Sequence, residues 1–392
     1  MMKRKMRKIL MIAMVVALLI IGKVLWVVCA TWGHGSIDRE RGEIIRRANY
    51  LVSKVATTPI GLLHEMPDAI DFQFRGEWAL YSCSMTTVAL ANIASLYPEQ
   101  RDSSLRHIEQ IIDVAMVPEI RLYDKLRWGE DPLESLDGNN SHISYLSHLA
   151  WMIGTYKQMG GGKQYDDTYH AVCEAMNRRI VQSGALNLPT YPGESIYVPD
   201  MLVAIVALAA YSQQNGGEYA STVQAWLEKA KRDWIDDETG LLASCLTEDE
   251  KKSGAVKGSY SALNCYYLTF IDRDFARQQY ERLKEFLLQT SPLTGIREYH
   301  NRSCWLGMDI DAGPIVCNLS PSGTAFAIGC ATYFDNIELR KRLLKTAEIA
   351  GSTFTWGNKS HYWLADFALV GEAITLAMRT HVFFNCELKI EN

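Results

Sequence analysis

Asp309 and Asp311 flank a single residue in the run Asp309-Ile-Asp-Ala-Gly-Pro314, just ahead of an apolar stretch of helical length. Two carboxyls close together in a partly enclosed cavity push each other's pKa values apart, leaving one as an acid and the other as a base. Glu194 and Asp200 form a second such pair, with Pro192-Gly193 making a turn and Pro199 suiting the first turn of another apolar stretch. Acids at these places also serve as Asx turns or as partners of a helix start. His142 closes the polar run Asp137-Gly-Asn-Asn-Ser-His142 ahead of a third apolar stretch, where an imidazole suits a proton relay. Asp311 is thus expected as the acid, Glu194 or Asp309 as the base and His142 as the relay, with Asp200 a further catalytic candidate.

Aromatic residues gather at the same kind of place. Arg75, Glu77, Trp78 and Tyr81 start one apolar stretch, and Trp78 and Tyr81 suit a stacking platform. Tyr145, Tyr191, Tyr197, Tyr260, Tyr299, His300 and Tyr362 fall near helix starts or in the loops before them and are expected to line a substrate. His361 and Asp366 share that neighbourhood, whereas His148 reads as a core histidine. No Gly-rich phosphate loop, GxSxG elbow or HExxH occurs, nor any CxxC or Cys/His metal spacing. No cofactor or metal is therefore expected.

The elements that must position these residues are helices. Helical periodicity predicts twelve, over 37–56, 75–97, 101–126, 141–159, 165–183, 196–214, 217–234, 258–270, 273–290, 320–335, 337–352 and 361–381. Those at 75–97, 141–159, 196–214, 258–270, 320–335 and 361–381 are apolar almost all round and are expected inside. The others carry Lys, Arg and Glu on one face and belong outside. Strict alternation makes the inner six parallel, so their N-termini meet at one mouth. The charged helix 37–56, packed beside the last inner one, closes the ring at six and six. Short hairpins are expected around Asp237-Glu-Thr-Gly-Leu241 and Leu293-Thr-Gly-Ile-Arg-Glu298.

The alternation and the D-x-T-G-L connection resemble the (α/α)6 toroid superfamily, which includes six-hairpin glycosidases, polysaccharide lyases and epimerases, and linalool dehydratase/isomerase-like proteins. The likeness covers nearly all of the chain after residue 36. Tyr191-Pro-Gly-Glu-Ser-Ile-Tyr-Val-Pro-Asp200, and Asp309 to Pro314 followed by Ser320-Pro-Ser-Gly-Thr324, are most similar to the dehydratase/isomerase-like branch. That branch's catalytic cysteines have no match, because Tyr197 and Val198 stand where they would fall. The resemblance implies an all-α toroid with one central site. Fold does not by itself choose the chemistry.

The first 36 residues differ from the rest. Lys3, Arg4, Lys5, Arg7 and Lys8 precede an apolar run from Ile9 that is interrupted by Lys23. Residues 1–8 read as a cytoplasmic basic tail, 9–32 as a transmembrane signal anchor, and 37–392 as an extracytoplasmic toroid domain. In a Gram-negative bacterium that domain would be periplasmic. Cleavage after Val28-Cys29-Ala30, the signal-peptide alternative, would make it secreted. The part after residue 36 carries 34 basic and 45 acidic side chains, net −11, which argues against a nucleic-acid partner. Nine cysteines are present, and in an exported chain Cys304 and Cys317 are the nearest candidates for a disulfide.

Three readings follow. The leading one is a membrane-anchored carbohydrate-active enzyme, a glycoside hydrolase or a lyase/epimerase, taking a glycan or small-molecule substrate. The second is a dehydratase/isomerase-like enzyme on a small alcohol or alkene. The third is a toroid used only for binding, in which every mouth carboxylate is engaged.

Overall fold

A computed structural model of the chain describes residues 2–32, 34, 36–67 and 71–382. Helix α1 (Met2–Ala30) comes first, then α2 (Ile37–Val55), the short α3 (Pro59–His64), α4 (Phe72–Leu96), α5 (Arg101–Ala115) and α6 (Pro118–Trp128). There follow α7 (Ile143–Gln158), α8 (Asp166–Gln182), α9 (Val198–Gln214), α10 (Ala220–Asp233), α11 (Gly258–Leu268), α12 (Arg273–Phe286), α13 (Pro321–Tyr333), α14 (Ile337–Gly351) and α15 (Leu369–Arg379). Short antiparallel strands fill the connections. β1 (Ile196–Tyr197), β2 (Cys245–Leu246) and β3 (Lys252–Ser253) form one sheet. The pairs β4 (Leu288–Gln289) with β5 (Gly295–Ile296), β6 (Leu306–Asp309) with β7 (Gly313–Val316), and β8 (Thr353–Trp356) with β9 (Lys359–Tyr362) form three more.

The inner helices α4, α7, α9, α11, α13 and α15 touch in that cyclic order, and α15 returns to α4. Helices α5, α8, α10, α12 and α14 pack outside them, and α2 lies against both α15 and α4. This is the expected ring of six inner and six outer helices. Composition explains the layers. In α9 almost every residue from Val198 to Ser212 is buried, whereas α12 buries only Phe275, Ala276, Gln279, Tyr280 and Leu283, one helical stripe.

Close approach of the inner helices needs small residues. A Cβ on Gly323 in α13 would sit 3.0 Å from the backbone of Gly258 in α11. Two glycines therefore let the first turns of neighbouring helices touch. Far from those first turns, the middle of the ring is filled by Trp151, Tyr266, Tyr267, Phe270 and His381, with ring centroids 4.8–6.4 Å apart.

The seam between the ends of the chain is ionic. Arg379 on α15 pairs with Glu40 at 3.0 Å and Glu43 at 2.8 Å on α2, and Arg47 pairs with Glu372 at 2.6 Å. Arg340 on α14 also reaches Glu40. Burial alone would raise the Glu40 pKa, but Arg379 and Arg340 outweigh it and bring it down to about 2.

Several elements differ from expectation. The helix predicted over 101–126 divides before Pro118, because the residue before a proline is driven out of the helical region and Val117 is extended at ψ 152°. The helix predicted over 361–381 begins only at Leu369. His361 and Tyr362 lie on β9, which pairs with β8 across a turn at Gly357 (φ 58°). Asp309 ends β6 opposite Gly313, so Asp309 and Asp311 belong to a hairpin tip rather than to an open loop. A strand pair joins Leu288–Gln289 to Gly295–Ile296, and a single bridge joins Ile235 to Leu242, at the two expected hairpins. Cys304 and Cys317 stand at the base of the β6–β7 hairpin with free thiols, and Cys386 lies outside the described residues.

One helical segment, Phe74–Leu96, is long and apolar enough to cross a membrane, but it is mostly buried inside the ring as a core helix. Met14–Ala30 in α1 is a shorter apolar segment. Its side chains from Met14 to Ile21 are largely exposed.

Candidate active site

Helices α4, α9, α11 and α13 bring their starts, or the residues leading into them, to one end of the ring. Glu77 stands in the first turns of α4, Asp200 in the first turn of α9, Tyr260 in that of α11, and Asp309 and Asp311 just before α13. The electrostatic coupling of Glu77 to both Asp200 and Asp311 shows that these starts converge.

Glu77 is the carboxyl that the fold perturbs most here. Its Oε2 is buried with no hydrogen-bond partner. Burial and the charges of Asp200 and Asp311 raise its pKa to about 8, against a hydrogen bond from Tyr191 and the nearby Arg127. Asp200 accepts a hydrogen bond from Thr190 Oγ1 at 2.6 Å. Burial, assisted by Asp311 and Glu194, raises its pKa to about 6. Two carboxyls thus share one mouth without a cation bound to either, and their proton affinities differ.

The other acids are neutralised. Lys257, at the start of α11, places its Nζ 2.8 Å from Asp309 and 3.0 Å from Asp311. Asp309 also accepts backbone N–H bonds from Asp311 and Ala312. Although burial opposes it, these partners hold the Asp309 carboxyl below the usual carboxylate range. Arg127 donates to Glu194 at 2.9 Å and lies 3.9 Å over the Tyr191 ring. The break at Pro118 makes this possible, since it sends α6 back against α4.

Half-buried aromatic side chains line the opening. Trp78 and Tyr81 rise from α4, and the Tyr81 hydroxyl meets that of Tyr267 at 3.1 Å, joining the wall to the aromatic filling below. Tyr197 and Tyr260 meet edge to face at 6.0 Å, and burial together with the nearby Asp311 charge raises the Tyr260 pKa. Tyr191 continues inward through Ser144 to Tyr123 in steps of 3.1 Å. Cys245 pairs with Tyr197 across β1 and β2. Burial pushes its thiol up to about 12, so it stays protonated and is a poor nucleophile.

Of the remaining candidates, Tyr299 is bridged through its backbone to Lys257, and each of the others is engaged in contacts of its own. His142 is fully buried in a left-handed conformation (φ 49°), with Nδ1 2.5 Å from Asp124 and Nε2 3.3 Å from Glu130. Burial raises the Asp124 pKa against that contact. Tyr145 is buried and donates to the Ala115 carbonyl at 3.1 Å. Tyr299 lies under Arg302 at 3.8 Å, and His300 stands 3.2 Å from Glu238. Tyr362 is buried under Arg47 at 4.0 Å in the seam. His148 is a core residue beside Ser84, and burial lowers its pKa to about 3.

Among the described residues, no group of three or more His, Cys, Asp or Glu side chains is arranged to hold a metal ion. Three side chains of the candidate site had no role in the sequence reading. Glu77 carried a signal, as a lone acid in an apolar helix between Gly76 and Trp78. Lys257 and Arg127 carried none, because their partners lie on distant segments.

No family model matches the chain. A solved structure described as a glycoside hydrolase from family 105 of C. acetobutylicum ATCC 824 is similar in fold, with a TM-score of 0.50 and 12% identity. The match covers 76% of this chain and 92% of that one. At this identity the likeness concerns the fold alone, a ring of inner and outer helices.

Proposed function

We propose that the chain is a membrane-anchored, extracytoplasmic carbohydrate-active enzyme, a glycoside hydrolase or a lyase/epimerase, working by general acid/base catalysis. The observation that carries this reading is the pair Glu77 and Asp200. Near neutral pH Glu77 holds a proton and Asp200 has lost its own. Glu77 then protonates the oxygen of the departing group, and Asp200 accepts a proton from water or from the sugar ring. Trp78, Tyr81, Tyr197 and Tyr260 offer ring faces to a saccharide. Lys257 with Asp309 and Asp311, and Arg127 with Glu194, act as positioning residues that shape the opening. His142 with Asp124 steadies the start of α7.

The glycoside hydrolase neighbour supports this reading at the level of the fold. Glu77, whose buried Oε2 has no partner, disfavours a ring used only for binding, in which every mouth carboxylate would be engaged by an arginine or a helix start. The five basic residues ahead of an apolar helix support the anchor and its orientation.

The test is a glycan screen of the full chain in detergent, beside Glu77→Gln and Asp200→Asn. Glycan turnover that falls roughly 100-fold or more in either folded variant agrees with the reading. Full activity in both would remove Glu77 and Asp200 from the mechanism.

A further inference from the structure

The position of α1 relative to the mouth has a consequence for the substrate. Lys23 on α1 bonds to the Ser352 hydroxyl and, at 3.3 Å, to the Glu348 carbonyl, and Trp26 Nε1 donates to Glu348 at 2.9 Å. Further along the chain, Thr31, Trp32 and His34 share a groove with Lys341, Arg342 and Lys345. As α1 advances, α14 is therefore followed backwards, and the two helices run antiparallel. The C-terminus of α14 passes into β8 at the end of the ring where the inner helices start. Lys23 thus lies level with the mouth, and the part of α1 before it projects beyond the ring on the mouth side. The apolar run of that part, residues 9–22, is about 21 Å long at 1.5 Å per residue, so it reaches across a hydrocarbon core of about 30 Å only if the rim of the ring is drawn into the membrane interface.

The rim on that side is apolar. In and beside the β6–β7 hairpin, Trp305 is 62% exposed, Leu306 77% and Met308 79%. In and after β8–β9, Trp356 is 79% exposed, Trp363 56% and Phe367 71%. These two hairpins lead into α13 and α15, so they stand at the mouth. Large exposed aromatic and aliphatic side chains grouped this way mark a contact surface, and tryptophan favours the membrane interface.

We infer that the mouth faces the bilayer, with the exposed apolar side chains in and beside both hairpins seated in its interface, and that the substrate is a glycan carried on a membrane lipid. This rests on the anchor reading of α1. A helix leaving the mouth side holds the ring with that opening towards the lipid. The sugar head group then reaches Glu77 and Asp200 while its lipid tail stays in the bilayer. A freely soluble polysaccharide would have to enter between the rim and the membrane.

The full chain, reconstituted in phosphatidylcholine vesicles containing brominated lipid, tests this by tryptophan quenching. Removing Trp305, Trp356 and Trp363 together as serines should lower the quenched intensity by more than half, since Trp26, within one turn of Lys23, stays close to lipid whereas Trp32 lies further down the side of the ring. A second variant, Met308→Ser with Phe367→Ser, keeps every tryptophan and should also weaken quenching; both are surface changes, and circular dichroism checks their folding. If quenching is unchanged in both variants while the chain resists alkaline carbonate extraction, the anchor stands and the rim is off the membrane, available to a protein partner instead. Release of the wild-type chain by carbonate would overturn the anchor, and this inference with it.

Discussion

Asp200, at the start of α9, raises the proton affinity of Glu77, at the start of α4, across the mouth of the ring. Neither helix could create this alone. Each contributes one carboxyl, and closure of the ring brings the two within electrostatic reach.

The pH profile of kcat/KM should be bell-shaped. Asp200 must be ionised, so activity rises through about pH 6, and Glu77 must be protonated, so it falls through about pH 8. In Asp200→Asn the like charge is gone and the Glu77 pKa should drop. Carboxyl-carbon NMR titration of that variant checks this, and an unmoved Glu77 would show that Asp200 does not contribute to its value.

Lys257→Met should destabilise the fold by roughly 1–3 kcal/mol near neutrality, because it leaves Asp309 and Asp311 facing each other without their cation. The Asp309 pKa is depressed, so the stability it contributes is present above its unfolded value and is lost as pH falls through the folded one. The gap between wild type and variant should therefore narrow in acid. Urea denaturation at two pH values reads both effects.

Arg379→Met should cost about 1–3 kcal/mol, since Glu40 and Glu43 each lose one buried cation while Arg340 stays with Glu40 and Arg47 with Glu43. In the wild type, the Glu40 contribution is complete above the ordinary carboxylate range and disappears as pH falls towards about 2. Acid unfolding followed by circular dichroism should begin at a higher pH in the variant; an unchanged transition would mean the seam contributes little.

Gly323→Ala sets two effects against each other. Alanine favours the helix by up to about 1 kcal/mol, but its Cβ would press on the Gly258 backbone at 3.0 Å. Overpacking of this kind costs about 1–3 kcal/mol, so net destabilisation is expected. A rise in melting temperature would show that α13 can shift away from α11.

The repeating layers were readable because burial leaves a local record. An inner helix such as α9 is apolar on every side, and an outer one such as α12 shows one stripe, so the order of the ring and the helix that closes it follow from periodicity alone. The sequence also placed Glu194, Asp200, Asp309 and Asp311 beside the starts of inner helices, because turn-forming Pro and Gly mark those starts. It could not rank them. Whether a carboxyl is an acid, a base or half of an ion pair depends on what faces it across the ring. Lys257 reaches Asp309 from 52 residues away, and Arg127 reaches Glu194 from 67. Glu77 looked like an ordinary helix-start acid until closure placed Asp200 opposite it and buried its free oxygen. Local pattern thus determines the elements and the end at which they meet, while proton affinity is a sum over through-space neighbours that only the tertiary structure supplies.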